Sequence, residues 1–75
     1  MTPERLKECL SIIRWSPDTL ASALGCYVSL VHAWLDGLEE VSPKAAAWIE
    51  ALAMTHEAAE GLKPASLKGK RAKVQ

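Results

Sequence analysis

Apolar residues return at helical spacing through most of the chain. Leu6, Cys9, Leu10 and Ile13 form an i, i+3, i+4, i+7 stripe, predicting a first helix over about residues 3–14. Leu20, Ala21 and Leu24 continue the spacing in a second helix. Leu30, Val31 and Trp34 do so in a third, with Leu35 at its margin. A longer fourth helix is predicted over about residues 43–60. Its main inward stripe is expected to be Ala45, Trp48, Ile49, Leu52 and Ala59. Ala47, Ala51, Met54 and Ala58 make a second, flatter stripe on another side.

The polar positions punctuate this pattern. Thr2-Pro3, Ser16-Pro17 and Ser42-Pro43 each place a hydroxyl acceptor before a proline, the chemistry of a helix start. Trp15 precedes the Ser16 cap and is placed to pack on Leu20 as a hydrophobic staple. Gly25 and Gly37 can take the left-handed conformation that ends a helix, and Gly61 and Pro64 are the expected stop of the fourth. The third helix lacks a capping side chain at Tyr27. Either Ser29 caps a later start, or solvent or a ligand phosphate satisfies the free amides.

Residues 16–37 therefore read as two short helices joined by a tight turn. Ala21 is small enough for close approach, Gly25 makes the turn, Val31 and Trp34 lock the second helix onto the first, and Gly37 closes it. With those residues the stretch resembles the DNA-binding core of the phage-repressor family, the Cro and lambda-repressor type also called XRE-like. The resemblance covers roughly residues 4–55. It implies an all-α, four- to five-helix lambda-repressor-like bundle with a central helix-turn-helix, and a transcriptional regulator that binds double-stranded DNA. In that family the third helix enters the major groove. By position, the base-facing candidates are Tyr27, Val28, Ser29, His32 and Ala33.

Length and composition narrow the picture. Seventy-five residues make one domain, and 49% apolar content is enough for it to collapse. No apolar run reaches the roughly 20 residues of a membrane span. The charged start MTPERLKECL lacks a signal-peptide core, so a cytoplasmic protein is expected. Cys9 and Cys26 are too far apart for a C-x-x-C ligand pair and read as reduced, largely buried thiols. His32 and His56 lie on different helices without ligands at metal-site spacing, so no metal or cofactor is expected. No glycine-rich phosphate loop, inward carboxylate pair or Ser/His/Asp arrangement is readable, and an enzyme is not expected.

Charge divides the chain into a helix-turn-helix domain, residues 1–62, and a basic tail, residues 63–75, expected to be disordered. The domain carries four Lys and Arg against nine Asp and Glu, whereas the tail carries five cations and no acid. DNA affinity comes largely from neutralising phosphates. The candidates for that role are Arg5, Arg14 and Lys44, with Lys68, Lys70, Arg71 and Lys73 of the tail. Small side chains at Ala47, Ala51, Met54 and Ala58 suit a two-fold homodimer contact, the alternative being a solvated face. The third helix itself holds no Arg, Lys, Asn or Gln, the strongest base readers, and Asp36, Glu39 and Glu40 follow it. These features favour the alternative reading, a helix-turn-helix scaffold presenting Val28, His32, Ala33 and Leu35 to a protein partner without DNA.

Overall fold

A computed structural model describes residues 1–67, 69, 71 and 72 of the chain. Among them are four α-helices, α1 (Pro3–Ile13), α2 (Pro17–Leu24), α3 (Val28–Leu35) and α4 (Pro43–Gly61), then a short 3-10 turn at Ala65–Leu67. The described residues contain no strand, so the fold is an all-α bundle. Helix α1 packs on both α4 and α3, and α2 packs on α3.

The three Ser/Thr-Pro sequences begin helices as the spacing requires. Thr2, Ser16 and Ser42 each accept a backbone N–H three residues on, from Arg5, Thr19 and Ala45, at 3.0, 3.2 and 3.3 Å. Each satisfies one amide that the first helical turn leaves open. Helix ends are equally local. After α2, Gly25 sits at φ +70° with its N–H on Ser22 C=O, and Cys26 N–H reaches Ala21 C=O at 3.0 Å. After α3, Gly37 at φ +76° repeats this closure, with Leu38 N–H on Ala33 C=O at 2.9 Å. Both are Schellman motifs, which satisfy the last carbonyls of a helix through one left-handed residue. Helix α1 ends the same way on Arg14, at φ +61°, the only non-glycine residue described with positive φ.

The core is drawn from every helix. Leu6, Cys9, Leu20, Val31, Ile49 and Ala53 are wholly buried, and Leu10, Ile13, Ala21, Trp34 and Val41 nearly so. Val41, in the connection between α3 and α4, anchors that segment to the core. On α4 the inward face keeps Ala45, Ile49 and Leu52 of the expected stripe, adds Ala53 and leaves out Ala59. Ile49 and Ala53 are buried and Ala45, Ala46 and Leu52 half-buried, while Ala59 is exposed and Trp48 lies at the margin. The difference has a simple cause: alanines surround this helix, so apolar spacing does not select one face. From Glu57 onward every residue of α4 is exposed, Ala59 among them.

Helix α4 also runs through Gly61 rather than stopping there. Its end tapers, with Leu62 N–H on Ala59 C=O at 3.1 Å and Lys63 N–H on Glu60 C=O at 3.3 Å. Gly61 is not in a left-handed conformation, so Pro64, which lacks an N–H and restricts Lys63, is the effective stop. Trp15 is half-buried, and its aromatic partner is Trp48, ring centroids 6.0 Å apart and tilted by 54°.

Candidate nucleic-acid interface

Helix α3 is held by its inner side. Val31 is inaccessible to solvent and Trp34 nearly so, and only Cys26 and Tyr27 lie between the Gly25 turn that ends α2 and the start of α3. Three of the five base-facing candidates, Tyr27, Ser29 and His32, are exposed as a result, Tyr27 to 86%. Val28 and Ala33 are half-buried, Val28 leaning on the core, so they offer edges rather than whole side chains. Ser29, His32 and Asp36 follow one another at helical spacing on the open side.

The start of α3 differs from the other three. Tyr27 occupies the cap position in extended conformation and no side chain caps the first turn. Ser29 lies inside the helix, which removes it as a later cap. Leu30 N–H is taken by Tyr27 C=O at 3.0 Å, a 3-10 closure. Among the described residues the amides of Val28 and Ser29 have no protein acceptor, at the positive end of the helix dipole and beside the exposed phenol and hydroxyl.

The basic candidates are dispersed. Arg5 is committed to the fold: its Nε donates to Glu50 Oε1 and Oε2 at 2.8 and 3.0 Å, and its Nη1 pairs with Glu8. Those carboxylates raise the guanidinium above its ordinary range, chiefly through the hydrogen bonds to Glu50 and then Glu8. Arg5 is thus partnered by two carboxylates within the fold, with 37% of its side chain still exposed. The same bonds hold Glu50 below the usual carboxylate range. The Cys9 thiol, 3.4 Å from Glu50 Oε1, is pushed up to about 11 by burial and then by that carboxylate. Nothing in the sequence announces this network, because Arg5 and Glu50 stand on separate helices far apart in the chain.

Arg14 and Lys44 are exposed, the first at the left-handed end of α1, the second in the first turn of α4. Arg71 is exposed, and Lys63 pairs with Glu60 at 3.3 Å. Lys68, Lys70 and Lys73 lie outside the described residues. Asp36, Glu39 and Glu40, all exposed, place negative charge at the end of α3 opposite its uncapped start. The second stripe of α4 is open along its length, with Ala47, Ala51 and Ala58 exposed and Met54 71% so. Cys9 and Cys26 are both free thiols, the first buried and the second half-buried. No helix among the described residues is long and apolar enough to cross a membrane.

Comparison of the chain with protein-family models, with curated proteins and with solved structures returns no match.

Proposed function

We propose that this chain is a small DNA-binding regulator that lays α3 in the major groove of a duplex. The observation that carries the reading is the division of α3. Val31 and Trp34 are sunk in the core, while Tyr27, Ser29 and His32 project beside an uncapped first turn. Helix amides of this kind accept phosphate oxygens. Ser29 and His32 can meet base edges, and the exposed edges of Val28 and Ala33 suit thymine methyls. Two copies paired through Ala47, Ala51, Met54 and Ala58 would read the halves of a pseudo-palindrome. The basic tail compensates an otherwise repulsive acidic body.

Selection of bound duplexes from a random pool tests this reading. One enriched sequence is expected, and His32→Ala should weaken binding to it more than to unselected duplex. Failure to retain any duplex at low salt overturns the reading.

One observation favours a second reading, a protein-interaction module. Helix α3 holds no Lys or Arg, and three exposed acids follow it. In that case Val28→Asp or Ala33→Glu abolishes capture of a protein partner in the absence of DNA.

A further inference from the structure

We propose that two copies pair antiparallel through α4, so that the basic tail of each crosses the acidic loop of the other and neither duplex-binding surface is complete in one chain. The inference rests on the dimeric DNA reading above and names its pairing. Helix α4 is apolar on two opposite sides. Ile49 and Ala53 are buried, yet the other side carries Ala47, Trp48, Ala51, Met54, Ala58 and Leu62, with Trp48 38%, Met54 71% and Leu62 84% exposed. Thr55, the one hydroxyl there, donates back to Ala51 C=O at 2.8 Å. A helix apolar all round is normally covered all round. The far end of α4 also stands clear of the body. The molecule measures 52 × 25 × 18 Å, and its radius of gyration is 15.8 Å, against about 11 Å for a compact chain of this length.

Charge selects a second copy as the occupant and sets its direction. Asp36, Glu39 and Glu40 are exposed just before α4, and none is in an ion pair among the described residues. The tail follows α4 directly. Lys63 pairs with Glu60 of its own helix, which leaves Lys68, Lys70, Arg71 and Lys73 against those three acids, one cation in surplus. Within one chain, the 19 residues of α4 hold loop and tail about 28 Å apart, so Lys70 arrives only on a nearly extended return. A parallel pair sets loop beside loop and tail beside tail, like charge on like. An antiparallel pair starts each tail at the other copy's loop. The stripe permits it, because steps of four, three and four residues read the same in both directions. Ala47 then meets Ala58 of the partner subunit, and Ala51 meets Met54 of the partner subunit. Glu50 and Glu57 fall beside that line rather than on it. The surplus cation stands at the margin of the other copy's α3, where acids otherwise repel phosphate.

Disulfide trapping tests the direction. Full-length Ala47→Cys and Ala58→Cys chains, both also carrying Cys26→Ser, are mixed and oxidised; Cys9 is kept because its thiol is buried. The mixed disulfide is expected without homodisulfides, since an antiparallel register leaves position 47 about 16 Å from its counterpart, beyond the about 7 Å that a disulfide bridges. Homodisulfides alone, a statistical mixture or no cross-link each overturn the proposal and leave DNA binding to the duplex selection. The crossing is tested on the wild-type chain, by carbodiimide coupling of a mixture of light and heavy nitrogen-labelled protein. Links from Glu39 or Glu40 to tail lysines should join light with heavy peptides; links within one label only place the tail on its own body and overturn the proposal. Glu39→Lys with Glu40→Lys should weaken dimerisation about fivefold at low salt, the order of a few surface ion pairs, and not at high salt. Dimerisation unchanged at low salt overturns the crossed tails. An antiparallel dimer with crossed tails that retains no duplex at low salt overturns the DNA reading alone.

Discussion

Arg5 and Glu50 meet across the packed pair α1 and α4, the guanidinium Nε and Nη2 both donating to one carboxylate, at 2.8 and 2.5 Å on Oε1. Buried Cys9 completes the cluster through its thiol. The two charged side chains remain 37% and 42% exposed, so water screens them and their value to stability is that of a surface pair. A fork held on a carboxylate does define how the two helices are set against each other, because its geometry is planar and directional.

This pair makes stability depend on pH in the acid range. Glu50 is held below its ordinary value of 4.5, so the unfolded chain binds the proton more readily than the folded one. The contribution is complete above the ordinary carboxylate range and is lost as pH falls through the folded value. Urea midpoints of wild type and Glu50→Gln should differ at neutral pH and converge on acidification. A gap that stays constant with pH would show that Glu50 acts through packing alone.

Two backbone positions should respond in opposite directions. Arg14 holds a left-handed conformation that costs a residue with a Cβ about 1–2 kcal/mol. Arg14→Gly should therefore stabilise the fold by about 0.5–1 kcal/mol, after the greater unfolded freedom of glycine is deducted. Gly25→Ala should cost about 1 kcal/mol or more. Nothing lies within 4 Å of a Cβ built there, so that penalty is dihedral rather than steric. Denaturant unfolding of both variants checks the signs.

Capping α3 should separate stability from binding. Tyr27→Ser supplies the missing acceptor and should add about 1 kcal/mol of stability, while occupying an amide that the DNA reading gives to a phosphate. A higher melting temperature with weaker duplex binding is the expected pair of results. Tighter binding would remove the uncapped turn from the interface.

The open stripe of α4 predicts a change in mass. Ala51→Glu should convert a concentration-dependent homodimer to monomer in sedimentation equilibrium, with no change in helicity. A wild-type chain that is monomeric at high concentration removes this contact.

Removal of residues 63–75 deletes five cations. Affinity should fall for every duplex sequence, and the salt dependence should flatten by about 0.9 for each phosphate that the tail had neutralised. An unchanged salt slope would mean that the tail stays in solvent.

Local chemistry makes much of this architecture legible in the chain itself. A hydroxyl before proline marks a helix start because its acceptor lies within three residues of the amide it satisfies. Thr2, Ser16 and Ser42 all behave so. Gly25 and Gly37 end helices because φ > 0 is a property of one residue, and the stripe from Leu6 to Ile13 turned inward because polar residues occupied the other sides. The placement of Tyr27, Val28, Ser29, His32 and Ala33 at the start of α3 and along it likewise followed from spacing, although how much of Val28 and Ala33 is covered depends on neighbouring helices. What tertiary structure alone decided lies where the local signal is degenerate or the partner is distant. On α4, where Ile49 already lay on the expected inward stripe, alanines on every side left the choice of Ala53 over Ala59 to the shape of the surface it meets. Trp15 found Trp48, and Arg5 found Glu50, because folding brought distant segments of the chain together. Spacing along a helix encodes which residues share a face; it carries no information about what that face will touch.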